Sequence, residues 1–223
     1  MAPRKMKRGF FITFEGPEGC GKSTQSQRLG TFLKKQGFAV VVTRDPGGTR
    51  LGEAIRKRLL SARNHFSPLT ETFLYELSRA DLVHRVVRPA LKRKAIVISD
   101  RFSDSTVVYQ GTAGGVSVSF IRRIDRKACR GIRPDLTFVL DVPIKTGLGR
   151  SLRKKKFLDR MDQKSLAFHQ RVRRGYLALY RKEPRRVRLI LSASKEKIQI
   201  QIQKEVTGVL ERRLGTKRRG FTS

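Results

Sequence analysis

Acidic residues are scarce in this sequence: 18 aspartates and glutamates stand against 51 lysines and arginines, a formal net charge of +33 at pH 7. A field of that sign attracts nucleotides, nucleic acids and acidic surfaces, and it does not by itself name a partner. Tryptophan is absent, and the two cysteines, Cys20 and Cys129, are too few for a disulfide framework and fit a reduced compartment. No apolar run approaches the roughly 20 residues needed to span a bilayer. Residues 1–9 are too short and too charged for a cleaved secretory signal, and the basic start, Arg4, Lys5, Lys7 and Arg8, runs straight into the first apolar segment. A cytoplasmic protein without membrane attachment is the expectation. At 223 residues the chain fits a single domain with a substantial core, with a short basic lid near residues 150–160 and a basic tail over residues 214–223. The sequence has no internal repeat.

What is present is a phosphate-binding loop, Glu15-Gly16-Pro17-Glu18-Gly19-Cys20-Gly21-Lys22-Ser23-Thr24. It fits G-x-x-x-x-G-K-[ST] at Gly16, Gly21, Lys22 and Ser23, and lies between an apolar run at residues 10–14 and a segment with helical pattern. The glycines let the backbone curl so that its N–H groups point at an anion, and the following helix adds its positive end. Such a loop holds ATP through Gly16, Pro17, Glu18, Gly19, Cys20, Gly21, Lys22, Ser23 and Thr24. Lys22 reaches the β- and γ-phosphates and Ser23 offers a hydroxyl to Mg²⁺. A glycine-rich turn that binds nothing is the bland alternative, and the agreement of strand, spacing and helix speaks against it. Cys20 sits where a helix N-terminus can lower a thiol pKa, but a small side chain in a crowded loop is its simpler role.

Short apolar runs at residues 39–43, 95–98, 136–140 and 188–191 alternate with segments of helical periodicity at 23–36, 51–60, 68–87 and 165–181. That alternation predicts βαβ units in an α/β fold with a parallel sheet. The run at 39–43 reads as a strand buried on both faces, and the third helix is expected to end near Pro89. Residues 196–213 alternate like a strand at Ile198, Ile200 and Ile202, yet Ile198, Ile202, Val206 and Val209 line one helix face; helix is the reading adopted.

Ligands in such sheets sit beyond the carboxyl ends of the strands, which places the loop, Arg44, Asp100, Arg101 and Asp141 along one rim. Asp100 follows an apolar strand, the position from which a carboxylate reaches Mg²⁺ in this class of fold; a capping role is the structural alternative. Arg101 at the end of a buried strand calls for an anionic partner, because an unpaired buried charge is costly. Two arginines and a phosphate cradle on one rim suggest two phosphate sites. A phosphate monoester, mostly dianionic at neutral pH, attacks a γ-phosphoryl group without a general base. The site then needs positioning and charge neutralisation, and His65, His84 and His169 need no catalytic role.

With these residues assembled, the chain resembles the thymidylate kinases over residues 9–192. The resemblance rests on the loop and on Thr43-Arg44-Asp45-Pro46-Gly47-Gly48-Thr49. It continues through Arg79-Ala80, Asp100-Arg101-Phe102 with Ser105-Thr106 and Tyr109-Gln110-Gly111, then Pro134-Asp135-Leu136-Thr137, Leu140-Asp141 and Asp159-Arg160. It implies a P-loop nucleoside-monophosphate-kinase fold, with a parallel five-stranded sheet flanked by helices, that transfers phosphate from MgATP to dTMP. It also implies a homodimer. On the dTMP side it implies Glu18 at the sugar 3′-hydroxyl, Arg44 and Arg101 on the phosphate, Tyr75 stacked on thymine, and Arg79, Thr106 and Gln110 reading the base. Tyr109 would crowd the 2′ position, and Leu51 would line the same site. The resemblance further implies that Lys22, Arg101 and Arg153 carry catalysis and, because Gly19 rather than arginine follows Glu18, that the lid supplies cations to ATP, from Arg150 and Arg153 and from residues 154–156. Ser23 and Asp100 hold the metal. The sequence departs from the family at Met161-Asp162, where an aromatic or aliphatic residue and glutamate are usual, at Ser192, and in its extreme basicity. From periodicity alone Tyr75 would be a core aromatic. The competing readings are a kinase for another nucleoside monophosphate and a basic nucleic-acid-binding P-loop protein. The basic stretches lack the interleaved aromatics of single-strand binders, and charge-driven binding to nucleic acid would be nonspecific.

Overall fold

The computed structural model describes residues 6–154 and 159–214. Five parallel strands form one sheet in the order β2-β3-β1-β4-β5: β1 Phe10–Glu15, β2 Val40–Arg44, β3 Ile96–Asp100, β4 Leu136–Leu140 and β5 Val187–Ile190. β1 is central, paired with β3 on one side and β4 on the other, and every one of its residues is buried. Its side chains alternate between the two faces. Phe10, Ile12 and Phe14 join one core with Leu29 and Leu33 of helix α1 (Lys22–Lys35), while Phe11 joins a second with Leu82, Val87 and Val97. β2 differs from the sequence reading. As an edge strand it pairs with β3 alone, and its residues are half-buried or exposed.

Helix α2 (Arg50–Leu60) is capped by Thr49, whose side chain accepts from Gly52 N, and α3 (Pro68–Leu82) by Ser67, which accepts from Thr70 N. The third helical segment does not stop at Pro89. A π-helical turn, Val83–Val87, leads without a break into α4 (Arg88–Lys92), and the widened ladder of that turn accommodates the missing N–H of Pro89. After β3 come the short α5 (Ser103–Thr106), a second π-helical segment, Val107–Ala113, and α6 (Val118–Ala128), which the sequence reading did not set out although Val118, Ile121 and Ile124 repeat at helical spacing. α7 (Ile144–Lys154) runs into the basic lid. α8 (Leu166–Lys182) covers the β4–β5 side with Phe168, Val172 and Tyr176.

The ambiguous segment is a helix, α9 (Lys195–Leu214). Ile198, Ile202, Val206 and Leu210, spaced four apart, are buried in the core beside α1, whereas Ile200 is exposed. A strand would have put Ile200 on the same face as its neighbours. Burying such a side chain is worth roughly 1.5–3 kcal/mol, so the helix face with more apolar residues wins. None of the described helices is long and apolar enough to cross a membrane.

Candidate active site

The carboxyl ends of β1, β2 and β3 open into a cleft of about 520 Å³. Residues 18–24 of the loop, Asp100, Arg101 and Tyr109 line it, Arg101 and Tyr109 being bonded to Glu18 of the loop, and so do Tyr75 of α3 with Thr106 and Gln110, which are bonded to Arg79 and Glu71 of the same helix. The loop keeps its shape through positive-φ glycines. Gly19 has φ +65°, and a Cβ there would stand 1.9 Å from the carbonyl oxygen of Gly147 in α7. This contact explains the absence of arginine at position 19: the loop packs directly on α7, with no room for a side chain. Lys22 is buried, and its Nζ donates to the carbonyls of Gly16 (3.1 Å) and Pro17 (2.7 Å) and to Cys20 Sγ. Burial pushes the Cys20 thiol up, against the pull of Lys22 and Arg101, so Cys20 fills space as a neutral thiol.

Ser23 Oγ donates a short hydrogen bond to Asp100 Oδ2. The other carboxylate oxygen, Asp100 Oδ1, is buried with no hydrogen-bond partner. A buried orphan acceptor beside a serine hydroxyl suits a divalent cation with oxygen ligands. Among the described residues no cluster of three or more acidic, histidine or cysteine side chains forms a metal cage, as befits an ion that arrives with a nucleotide.

Arg101 has φ +67°, a left-handed conformation that costs a non-glycine residue roughly 1–2 kcal/mol, and surrounding contacts hold it there. Nη2 donates to Glu18 Oε1 at 2.7 Å and Tyr109 OH at 3.1 Å; Nη1 donates to Ser105 Oγ, Tyr176 OH and the Gly16 carbonyl; and the guanidinium lies over the Tyr109 ring. Tyr109 OH donates to Glu18 Oε1 at 2.9 Å. Beneath them Glu15, fully buried at the end of β1, accepts from Phe102 N, Ser105 Oγ and Tyr176 OH. Burial, then the nearby Asp104 charge, pushes its carboxyl up to about 7, opposed by the Ser105 hydrogen bond and Arg101. The sequence reading quoted Glu15 and Ser105 within motifs but gave neither of them, nor Tyr176, a role in the site. The one signal for Tyr176 was a polar-tipped aromatic on an otherwise apolar helix face.

Tyr75 lines the cleft, with its phenol pushed up by burial and the Glu71 charge. Gln110 and Thr106 line it as well, and both are almost fully buried. Arg79 does not line it. It lies one layer behind, 1 % exposed, donating to Asp45 Oδ2 (2.7 Å), Glu76 Oε1, Asp125 Oδ1 (3.2 Å) and Thr106 Oγ1 (2.7 Å). Thr106 therefore connects Arg79 to the cleft. Arg44 and Leu51 also lie outside the lining: Leu51 is exposed on α2, and Arg44 makes a bidentate pair with Glu53. Arg150 lines the cleft from α7. Arg153 is exposed on the same helix and outside the lining, and lid residues 155 and 156 fall outside the described residues. Asp162 joins the two ends of the lid, accepting from Ser151 Oγ at 2.8 Å and from Asp159 N. Arg56 and Lys195 line the cleft too, and no motif had singled them out.

A profile of the family described as Thymidylate kinase matches residues 14–202. The chain is 44% identical over 198 residues to a thymidylate kinase of Deinococcus radiodurans, covering 89% of this chain and 95% of that protein. It is 49% identical over 179 residues to one of Gloeobacter violaceus, covering 80% and 84%. Among solved structures, a thymidylate kinase from Ehrlichia chaffeensis superposes with a TM-score of 0.74 at 32% identity, covering 90% of this chain and 99% of that one.

Proposed function

The chain belongs to the thymidylate kinase family, and from that premise we propose how its cleft carries out the reaction. The enzyme transfers the γ-phosphoryl group of ATP to dTMP, giving dTDP and ADP. One observation carries the assignment of residues: a single cleft is lined by the phosphate loop, by Arg101 bonded to Glu18 of that loop, and by Tyr75 of α3 with Thr106 and Gln110, which are bonded to α3. ATP occupies the loop end, where Lys22 exchanges the Gly16 and Pro17 carbonyls for β- and γ-phosphate oxygens. Ser23 and Asp100 would hold Mg²⁺, which when bound neutralises charge on the β- and γ-phosphoryl oxygens.

dTMP lies toward Tyr75 with its phosphate at Arg101. Its dianion attacks the γ-phosphorus directly, so the protein's work is alignment and charge neutralisation. Glu18, already an acceptor for Arg101 and Tyr109, accepts from the sugar 3′-hydroxyl, and Tyr109 fills the 2′ side. Arg44 reaches the phosphate by leaving Glu53, and Arg79 acts on base recognition through Thr106, to whose hydroxyl it donates. Arg150 and Arg153 bring cationic charge to ATP as the lid closes. We also assign the chain to one domain, a cytoplasmic setting and a homodimer. Leu69, Phe73 and Leu77, four residues apart on α3, are all exposed and suit a self-complementary contact; sedimentation as a monomer at micromolar concentration would remove the dimer.

Arg101→Ala tests the assignment. The expected result is a fall in kcat/KM for dTMP on the order of 10²-fold, with ATP affinity changed by less than about threefold. If ATP affinity falls instead while the KM for dTMP holds, Arg101 serves the donor and the two ends are misassigned.

A further inference from the structure

One buried network touching the base end of the cleft has no part in the account above. Gln110 Nε2 donates to Glu71 Oε2 at 2.8 Å, and the other carboxylate oxygen, Glu71 Oε1, takes a hydrogen bond from Arg160 Nη1. All three side chains are buried. Arg160 is held in turn: its Nε donates to the Leu59 carbonyl at 3.0 Å, its N to the Leu60 carbonyl at 3.2 Å, and its guanidinium lies over the Phe66 ring. Those carbonyls belong to the last turn of α2, the negative end of a helix, where a cation is favoured. Arg160 thus leaves the lid with its charge fixed, and Glu71 is fixed by it.

The consequence falls on Gln110. A primary amide has one accepting and one donating edge of nearly the same shape, so packing alone does not decide which edge faces a ligand. An ionised carboxylate decides it, because it can only accept. Glu71 therefore takes the Nε2 edge of Gln110, and Oε1 is the edge left for the cleft. On the pyrimidine ring the position between the two exocyclic groups distinguishes the bases. Thymine and uracil carry a proton at N3 and donate; cytosine carries a lone pair there and accepts.

We propose that Glu71, anchored by Arg160, is a positioning residue for base specificity: it fixes Gln110 with its carbonyl toward the bound base, so that the site accepts pyrimidines that donate at N3 and rejects those that accept there. The proposal rests on Gln110 as a base-reading residue. It adds the group that sets the polarity of that reading, and it reaches from the base pocket to the residue that closes the lid.

Glu71→Gln gives a test with a distinctive direction. Arg160 still needs an oxygen, so the new amide turns its oxygen to Arg160 and its NH₂ to Gln110. Gln110 must then accept from residue 71 and present its own NH₂ to the cleft, inverting the hydrogen-bond polarity there. The expected result is a fall in kcat/KM for dTMP and dUMP of roughly 10- to 100-fold, together with a rise for dCMP above its wild-type value, with ATP affinity unchanged. General loosening of the fold lowers all three acceptors together, and that outcome would overturn the proposal. Should Glu71→Gln fail to fold, the double variant E71Q/R160M removes the buried charges as a pair. With nothing left to orient residue 71, the dTMP-to-dCMP preference should still narrow by at least about tenfold, and an unchanged preference would count against the proposal.

Gln110→Ala separates this inference from the reading beneath it. If Gln110→Ala erodes the dTMP preference while Glu71→Gln leaves it intact, Gln110 reads the base and Glu71 does not position it. If Gln110→Ala has no effect, both statements fail. In the supporting case E71Q/Q110A shows no loss of preference beyond that of Q110A alone, as expected for residues acting as one unit.

Discussion

Glu76 is one of three carboxylates gathered on the single guanidinium of Arg79, and its Oε2, like Asp45 Oδ1, is buried without a partner. Burial pushes the Glu76 carboxyl from its ordinary 4.5 up to about 7, against the pull of Arg79 and with help from Asp125. Between those two pH values the folded chain keeps a proton that the unfolded chain has released. Stability therefore falls as pH rises through that window and levels off above it. A rise of that size corresponds to roughly 3 kcal/mol, or on the order of 6–12 °C in Tm for a chain of this length. Glu15, also held up near 7, adds to the same slope. Thermal melts of Glu76→Gln from pH 5 to 7.5 should show a shallower fall in Tm than the wild type; parallel curves would mean that Glu76 is ionised throughout. At this scale the sequence exposed Lys22 through the spacing of the loop motif, and Asp100 and Arg101 at a strand end, because a charge following an apolar run has few structural uses. It hid Glu15, Glu71 and Glu76, because periodicity reports a face and carries no measure of depth.

Between elements, the contact that shapes the donor end is loop against helix. A Cβ on Gly147 would stand 2.4 Å from the Glu18 carbonyl oxygen, while one on Gly149, two residues along α7, would meet nothing within 4 Å. Gly147→Ala should force α7 and the loop apart at a cost of about 1–3 kcal/mol, lowering Tm and raising the KM for ATP. Gly149→Ala should be neutral or slightly stabilising, since alanine is the better helix former. Equal effects from the two would show that α7 does not support the loop. The strands were readable as short apolar runs bounded by polar residues, and α9 was decided correctly by counting residues per face. The misjudged elements have clear physical causes. β2 carries the valines of an interior strand yet lies at an edge, since strand order is a tertiary property. Pro89 failed to end its helix because the π-helical turn before it, closed by the Arg88 N–H to the Val83 carbonyl, widens the hydrogen-bond ladder where the proline has no N–H to give. Helix α5 follows β3 with little apolar signal because its buried residues are Asp104, Ser105 and Thr106, whereas α6 carries a readable apolar period, Val118, Ile121 and Ile124, that the sequence reading passed over.

Across the whole molecule, the few acidic side chains are largely spent on arginines inside or at the edge of the fold: Asp45 and Glu76 on Arg79, Glu71 on Arg160, Asp104 on Arg186, Asp141 on Arg173. The excess of positive charge seen in the composition is therefore left mainly to the surface. Such a field draws every nucleoside monophosphate toward the cleft about equally. It sets encounter rate and salt dependence, and it cannot tell one base from another. On the proposed assignment, discrimination arises from Tyr75, Thr106, Gln110 and the groups that orient them. The most direct test is the ratio of kcat/KM values for dTMP, dCMP, UMP and AMP with MgATP at one ionic strength, because the common field cancels in the ratio. The account predicts that dTMP leads the other three by roughly 10²-fold or more; equal turnover of all four, or of none, would contradict it.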